Sequence, residues 1–165
     1  MYYRYLGTPI GDLLLAGDDE ALCVVGFPEG KMRREPDAEW IYSEKPFEAA
    51  CEQLRAYFDG SLKEFDLNLR PGGTPFQLEV LHELQKIPYG TTTSYGEIAR
   101  RIGRPKAVRA VGRANGRNPI PIIIPCHRVI GSTGNLTGFG GGLPTKATLL
   151  RLELERSQFP HLARE

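Results

Sequence analysis

Short apolar runs separated by turn residues open the chain. They lie at residues 2–6, 13–16 and 22–27, with Gly-Thr-Pro-Ile-Gly and Gly-Asp-Asp-Glu sequences between them. Runs of this length, bounded by Gly, Pro and Asp, are typical of strands joined by hairpins. Residues 31–42 are polar, and we predict a loop there.

A helix followed by a further strand is predicted next. Apolar residues recur at helical spacing up to Gly60, namely Phe47, Ala50, Cys51, Leu54 and Phe58. Residues 64–69 then alternate, which predicts a strand with Phe65, Leu67 and Leu69 facing inward. The Arg-Pro-Gly-Gly stretch at 70–73 is typical of a linker. We therefore expect an N-terminal α+β structural domain over 1–73 and a second domain over 74–165.

The second half has clear signals for where helices begin and end. Thr74-Pro75-Phe76-Gln77 is a capping box with proline at the first helical position, and Pro88 should end that helix. Ser94-Tyr95-Gly96-Glu97 predicts a second, short helix that ends at Gly103. A third helix is predicted over 105–114, which gives a helix-turn-helix in a mostly helical domain. The apolar residues expected to pack are Val80, Leu81, Leu84, Ile87, Val108 and Val111.

Charge divides the chain although the net charge is only +1. Residues 1–75 carry 8 Lys or Arg against 14 Asp or Glu, whereas residues 76–165 carry 13 against 6. Residues 98–152 contain no acid and ten cations, which are Arg100, Arg101, Arg104, Lys106, Arg109, Arg113, Arg117, Arg128, Lys146 and Arg151. Such a stretch is either a solvated basic face or the surface for a polyanion. Together with the helix-turn-helix it favours DNA, and the small side chains of residues 107–114 suit the minor groove.

One cysteine stands in a distinctive context. Pro121 and Pro125 bracket three isoleucines, which predicts a short buried strand or extended segment leading to Cys126 and His127. Cys126 could be an inert core thiol. The adjacent imidazole and the basic unit before it favour a nucleophile instead, because a thiol with an ordinary pKa of about 8.5 needs a base to react quickly at neutral pH.

The motifs around this cysteine resemble those of the O6-alkylguanine-DNA alkyltransferases. They are Pro125-Cys126-His127-Arg128-Val129, Ser94-Tyr95-Gly96, Lys106-Ala107-Val108-Arg109-Ala110-Val111-Gly112, Asn118-Pro119 and Gly141-Gly142-Leu143. The resemblance is strong over 74–155 and looser in the N-terminal half, where residues 7–11 carry it. It implies a ribonuclease-H-like N-terminal domain without nuclease activity. It also implies a single, irreversible alkyl transfer from O6-alkylguanine, and from O4-alkylthymine, in duplex DNA.

The resemblance also implies roles for the residues of the reaction. Cys126 would be the alkyl acceptor, His127 its base acting through a water, and Glu153 the carboxylate that orients the imidazole. The Tyr95 hydroxyl would interact with N3 of the leaving guanine, and Asn118 would brace the turn beside the nucleophile by hydrogen bonds. From the residues alone, Glu153 could be an ordinary helix-surface glutamate, Tyr95 an aromatic covering a helix end, and Asn118 a helix-ending residue.

Contacts with DNA are implied in the same way. Arg109 would occupy the space that the nucleotide leaves in the base stack when it rotates out. From the residues alone, a contact between Arg109 and a phosphate is the alternative. The positions that approach the DNA would be Ser94, Tyr95, Arg104, Ala107, Arg109, Ala110, Gly112 and Ser132. The alkylguanine pocket would be lined by Asn115, Pro121, Val129, Phe139, Gly140 and Gly141, within a Gly-rich loop over 131–142. Many family members have tyrosine at the position of Phe139 and serine at that of Gly140, so this pocket lacks those hydroxyls.

No cofactor or metal is expected. Cys23, Cys51 and Cys126 form no CxxC pair, which argues against a disulfide framework and a zinc site. We read His82 as helix surface and His161 as tail. The Gly-rich loop lacks the Lys-Ser/Thr of a phosphate-binding loop. Without a signal peptide or a long apolar run, we expect a soluble, cytoplasmic protein, monomeric off DNA, with cooperative binding on DNA left open.

Three other functions agree with parts of this sequence. A lesion sensor would bind alkylguanine without chemistry, but related sensors lack the acceptor cysteine. A transcription regulator of the adaptive-response kind would need a cysteine-rich zinc domain. A cysteine hydrolase using Cys126, His127 and Glu153 would need an oxyanion hole and turnover, and no motif in the sequence marks either.

Overall fold

The computed structural model describes residues 1–132, 134 and 139–158. Part of the predicted pocket loop, at 133 and 135–138, and the predicted tail residue His161 therefore lie outside the described residues.

A small sheet organises the N-terminal half. Strands β1 (Tyr2–Thr8), β2 (Gly11–Gly17) and β3 (Leu22–Gly26) form an antiparallel meander, as predicted. A short strand, β4 (Ile41–Tyr42), pairs parallel with β1, so the order is β3-β2-β1-β4. We predicted loop at β4, because two exposed residues leave no periodic pattern.

Helix α1 (Glu48–Asp59) follows a 3-10 turn and ends at Gly60, whose φ of 86° is left-handed, as a C-terminal cap requires. Its buried residues include Ala50, Cys51 and Leu54, as predicted. The predicted face is wrong at its end, because Tyr57 is fully buried whereas Phe58 is half-buried. The helical spacing allowed either residue, and the later half of the chain decides between them.

The strand predicted over 64–69 is not formed. Only Leu69 bridges to Leu22, through hydrogen bonds from Leu22 N to Asn68 O (2.9 Å) and from Arg70 N to Leu22 O (2.8 Å). Further along β3, the amide of Val25 donates instead to Pro119 O at 2.9 Å. The backbone of the C-terminal half thus takes the place on β3 that a longer strand would need.

Helix α2 (Pro75–Leu84) begins with the predicted capping box. Gln77 N donates to Thr74 Oγ1 at 3.2 Å, and Thr74 N donates to Gln77 Oε1 at 2.9 Å. The helix ends at Leu84, and Ile87 is buried in the turn that follows. Strand β5 (Thr93–Ser94) then leads into the next helix.

Helices α3 (Tyr95–Arg101) and α4 (Val108–Gly116) form the predicted pair. Ser94 caps α3 by accepting from Glu97 N at 3.1 Å, but the Glu97 carboxylate pairs with Arg100 and Arg101 and does not complete a capping box. Helix α4 begins at Val108, not at the predicted residue 105, because the proline segment forms a turn. Val108 is 40% exposed, so its predicted packing is wrong, whereas Val111 is buried as expected.

The remaining elements bring both halves into one core. Strand β6 (Val129–Ile130) pairs parallel with β5, and helix α5 (Leu143–Gln158) packs against the turn before β6. A single hydrophobic cluster includes Leu6 and Leu54 from the first half and Leu81 and Ile98 from the second. The predicted α+β class is confirmed. No helix within the described residues has the length and apolar character needed to cross a membrane.

Candidate active site

A tight buried turn delivers Cys126. The isoleucine segment forms this turn and not the predicted strand or extended segment, with Pro121 bridging to Ile124. Ile122 has a φ of 74°, a costly conformation for a β-branched residue. The Asn118 amide holds the turn by donating to Ile124 O at 2.8 Å and accepting from Ile120 N at 3.0 Å. Asn118 therefore braces the turn that precedes Cys126.

The Cys126 side chain lines a cavity of about 130 Å³. The residue begins a 3-10 turn, Cys126–Arg128, and is 3% exposed. The C-terminal half contributes five of the expected residues to this cavity, namely Asn115, Asn118, Pro121, Phe139 and Gly140. The N-terminal half contributes Val24, Val25, Phe27, Met32 and Arg34. The N-terminal half is thus part of the cavity wall.

Close backbone packing joins the N-terminal half to the rim of the cavity. Met32 N donates to Gly140 O at 2.9 Å. Gly30 has a φ of 92°, and a Cβ there would lie only 2.3 Å from Gly140 O. Gly141 is packed against the Phe27 ring, which a Cβ would approach to 2.8 Å. These positions need glycine because two segments approach more closely than a side chain allows.

The resting thiol is protonated at neutral pH. Burial raises the pKa of Cys126 from 9.0 to about 11, while a hydrogen bond with Asn118 and the charge of Lys146 oppose the rise. Because the thiolate is the nucleophilic form, a nearby base has to remove the proton for reaction at neutral pH.

A buried network stands next to this thiol. His127 Nε2 lies 2.5 Å from Glu153 Oε2, and both side chains are at most 1% exposed. Arg128 donates to Glu153 twice, from Nε at 2.8 Å and Nη2 at 3.1 Å, and to Ile87 O at 2.7 Å. Tyr57 Oη donates to Glu153 Oε2 at 2.6 Å, and Gly90 N to Oε1 at 3.2 Å. Glu153 is thus not a surface glutamate.

The network sets the ionisation of its members. Burial works against ionisation of Glu153, but hydrogen bonds and charges of His127 and Arg128 hold its pKa at about 2. Burial lowers the pKa of His127, which the Glu153 carboxylate opposes. His127 is therefore neutral near pH 7, and its Nδ1 has no hydrogen-bond partner among the described residues. A neutral imidazole held by a carboxylate at one nitrogen can accept a proton at the other.

Two cations of the acid-free stretch are buried at this site. Lys146 is fully buried and donates from Nζ to Val129 O at 2.6 Å. Burial lowers the pKa of Lys146, and Cys126 opposes that shift. Arg128 is 6% exposed. These two residues therefore belong to the interior and not to a basic surface.

A groove along α4 leads past the cavity. It has a volume of about 730 Å³ and shares five lining residues with the cavity, namely Met32, Gly116, Arg117, Phe139 and Gly140. Its other lining residues are Lys31, Tyr95, Val108, Arg109, Gly112 and Arg113. Arg109, Arg113 and Arg117 are exposed and form no ion pair with any described residue. The groove therefore presents unneutralised cations beside the opening that leads to Cys126.

Comparison with known proteins places the chain in a family. Residues 1–71 match the ribonuclease-like domain of 6-O-methylguanine DNA methyltransferase, and residues 75–155 match its DNA-binding domain. The chain belongs to the 6-O-methylguanine DNA methyltransferase family. This membership confirms the resemblance and the fold predicted for the two halves, whereas the exact domain limits stay a prediction.

Individual family members resemble the chain over its whole length. The methylated-DNA–protein-cysteine methyltransferase of Methanosarcina acetivorans is 56% identical over 153 residues, covering 93% of this chain and 98% of that protein. That of Mycolicibacterium paratuberculosis is 53% identical over 156 residues, covering 94% and 93%. A crystal structure of Mycobacterium tuberculosis OGT in complex with DNA superposes with a TM-score of 0.89 at 47% identity, covering 100% of both chains.

The residues expected to meet DNA are only partly brought together. Tyr95, Arg109 and Gly112 share the groove, and Ala107 before α4 and Ala110 within it are half-buried. The others lie outside the groove lining. Ser94 caps α3, Arg104 lies 3.5 Å from Glu79 in an ion pair, and Ser132 is exposed after β6. Two expected pocket residues also lie outside the cavity lining. Val129 is in β6, and Gly141 packs against the Phe27 ring.

Several residues of the site were not predicted. From the sequence we predict surface cations at Lys146 and Arg128, and the pattern predicts no role for Tyr57 or Met32. One sequence feature could have identified Lys146, because it lies seven positions before Glu153, two turns away on the same face of α5. Tyr57 meets Glu153 across 96 positions of the chain, and no local pattern carries that contact.

Proposed function

We propose that the chain repairs alkylated DNA by direct reversal, moving the alkyl group from O6 of guanine in duplex DNA to the Cys126 thiol, once per molecule. The observation that carries this proposal is the position of Cys126, in the wall of a cavity and beside the buried His127–Glu153 pair. The relatives named above are methylated-DNA–protein-cysteine methyltransferases. O4-alkylthymine is a second proposed substrate, since it carries the same kind of aryl alkyl ether.

The proposed chemistry starts with the thiol proton. His127 accepts that proton through a water, and Glu153 stabilises the imidazolium that forms. The sulfur then attacks the alkyl carbon, so that the S–C bond forms while the O6–C bond breaks. The electron pair of the broken bond stays on guanine, where the Tyr95 hydroxyl stabilises it by donating a hydrogen bond to N3. Guanine then takes up one proton from water, and His127 releases the thiol proton to water. The thiol and the alkylguanine thus give S-alkylcysteine and guanine, and the stable thioether ends the reaction.

Fixed charges around the thiol support this chemistry. Lys146 is the cation that stabilises the Cys126 thiolate, because it is buried and its charge acts on that thiol. Asn118 fixes the turn and hydrogen-bonds with the thiol. Such preorganised groups stabilise a developing charge without having to reorient during the reaction.

The target base has to leave the duplex, because a thiol that is 3% exposed cannot reach an atom inside the base stack. We place α4 in the minor groove, with its exposed cations near the phosphates and Arg109 in the space that the rotated nucleotide vacates. The flipped base would enter the cavity, where Asn115, Pro121, Phe139 and Gly140 line the wall.

The protein is proposed to act as a monomer in the cytoplasm, where its free thiols stay reduced. No cluster of His, Cys, Asp or Glu among the described side chains could hold a metal ion.

A stoichiometry assay tests the proposed function. Duplex DNA with one O6-methylguanine is mixed with increasing amounts of protein, and restored guanine is measured by nucleoside chromatography. We expect one guanine per protein molecule and then no more. Cys126→Ser should restore none, whereas Cys51→Ser, the control for another buried thiol, should keep full capacity. Turnover beyond one equivalent, or full repair by Cys126→Ser, would contradict the proposal.

A second assay tests the role of Arg109. Single-turnover rates of Arg109→Ala are compared on methylated duplex and on free O6-benzylguanine. We expect a loss of more than about tenfold on duplex and little change on the free base, because only duplex requires extrusion. Arg101→Ala is the matched control, since Arg101 pairs with Glu97 on the neighbouring helix. Equal losses on both substrates would show that Arg109 does not act in extrusion.

A further inference from the structure

A hydroxyl from the N-terminal half reaches into the network beside Cys126. We infer that Tyr57 is a positioning residue for alkyl transfer: its hydroxyl holds the Glu153 carboxylate in place and limits how strongly that carboxylate attracts the proton on His127. The contact is a 2.6 Å hydrogen bond from Tyr57 Oη to Glu153 Oε2. This inference rests on the proposed function, and it assigns the N-terminal half a part in the chemistry.

Packing fixes the Tyr57 ring. The side chain is fully buried. Three aromatic rings surround it, with centroids at 5.3 Å for Phe58, 5.5 Å for Phe65 and 6.1 Å for Tyr89. Phe58 belongs to α1 itself, and the other two come from the segments before and after α2. The hydroxyl therefore points at Glu153 without having to be ordered during the reaction.

Tyr57 binds the carboxylate oxygen that faces the base. Glu153 Oε2 contacts His127 Nε2 at 2.5 Å and also accepts from Tyr57 and, at 3.1 Å, from Arg128 Nη2. Arg128 brings a full positive charge, whereas the phenol is a neutral donor. Burial and the Glu153 charge raise the pKa of Tyr57 well above its usual range, so the phenol keeps its proton and donates throughout the neutral range.

The hydroxyl should tune the basicity of His127. Each donor on Oε2 takes up part of its negative charge, and this weakens the attraction of Oε2 for an imidazolium. Without the Tyr57 hydroxyl, Glu153 would stabilise protonated His127 more strongly, so the pKa of His127 would rise. The charged groups that act on His127 are Glu153 and Lys146 from α5 and Arg128 from its own turn. Tyr57 from α1 and Tyr89 after α2 lie near Glu153 and not next to His127.

Loss of the Tyr57 hydroxyl should slow transfer on the acidic side of the pH profile. Protonated His127 cannot accept the thiol proton, so the transfer rate falls as the pH drops through the pKa of His127. A raised pKa of His127 moves this falling part of the pH–rate profile, the acid limb, to higher pH. A change that only loosened packing would lower the rate or the melting temperature without moving the limb.

The test compares two Tyr→Phe variants of the same aromatic cluster. Single-turnover transfer from O6-methylguanine duplex is measured against pH for wild type, Tyr57→Phe and Tyr89→Phe. Tyr89 is the matched control, because its hydroxyl is buried and has no hydrogen-bond partner among the described residues. We expect the acid limb of Tyr57→Phe to move up by roughly 0.5 to 1 pH unit and that of Tyr89→Phe to stay in place. An unmoved limb in Tyr57→Phe, or equal shifts in both variants, would overturn the inference.

The outcome separates this inference from the proposed function. If wild type transfers no methyl group, the proposed function fails. If wild type transfers and Tyr57→Phe keeps the wild-type limb, only the role of Tyr57 fails. Should Tyr57→Phe not fold, 3-fluorotyrosine at position 57 keeps the ring and the hydroxyl and makes the phenol a stronger donor. The limb should then move to lower pH, and an unmoved limb would overturn the inference.

Discussion

Replacing Arg128 with methionine should remove the buried cation that balances Glu153. The guanidinium makes two hydrogen bonds to that carboxylate, at 2.8 and 3.1 Å, and one to Ile87 O at 2.7 Å. The two side chains are 7% and 1% exposed, so water cannot replace the lost donors. Methionine keeps much of the apolar volume, and the variant therefore isolates the lost charge and hydrogen bonds.

The expected loss follows from this burial. Breaking a buried ion pair by removing one partner costs about 3–5 kcal/mol, because the other charge stays buried. Tyr57, His127 and Gly90 still donate to Glu153, so the lower part of that range is expected. For a chain of this length, a loss of about 3–4 kcal/mol lowers the melting temperature by roughly 6–16 °C.

Thermal and denaturant unfolding, followed by circular dichroism, measure the loss. The matched control is Arg100→Met. Arg100 is 63% exposed and pairs with Glu97 at 2.7 Å, and an exposed pair of this kind contributes at most about 1 kcal/mol. If Arg128→Met lost no more free energy of unfolding than Arg100→Met, the buried pair would not stabilise the fold and the reasoning would be refuted.

Three further predictions follow from the same geometry. Lys146→Met should raise the pKa of the Cys126 thiol, and transfer should slow about tenfold for each unit by which this pKa rises. Iodoacetamide labelling measures the thiol pKa and single-turnover kinetics measure transfer; unchanged labelling would contradict the prediction. Gly112→Leu should weaken duplex binding in a titration without lowering the melting temperature, since a Cβ there meets nothing closer than 3.9 Å; tight binding would argue against α4 in the groove. Because the pKa of Glu153 is held at about 2, below its ordinary 4.5, its contribution to stability is complete above pH 4.5 and is lost as the pH falls toward 2. Denaturant unfolding against pH should show a steeper decline in wild type than in Glu153→Gln, in which other carboxylates with a lowered pKa, such as Asp18 and Glu97, still titrate; equal slopes would contradict it.

Local pattern predicted much of the fold. The hairpin strands and the caps at Thr74 and Ser94 could be read directly, because alternation and capping depend on neighbouring residues. The strand over 64–69 was predicted wrongly, although its residues alternate, because Pro119 occupies part of the β3 edge. An alternating segment becomes a strand only when a neighbouring strand has a free edge to pair with it, and sequence alone does not show which edges are free.

The residues of the candidate site were likewise predictable only where neighbouring residues carry the signal. Cys126 and His127 are adjacent in sequence, so the thiol and its base could be proposed at once. Lys146 and Arg128 were read as surface cations, because a charged residue is buried only when distant groups pair with it, and such groups are found only in the folded chain. The choice of Tyr57 over Phe58 on the buried face of α1 likewise depends on Glu153, far away in sequence.

The most direct test of the central claim locates the transferred group. After reaction with a duplex that carries O6-methylguanine, the protein is digested and each cysteine-containing peptide is weighed by mass spectrometry. We expect one added methyl group on the Cys126 peptide, none on the Cys23 or Cys51 peptides, and plain guanine in the DNA. A methyl group on another residue, or repaired DNA with an unmodified Cys126 peptide, would contradict it.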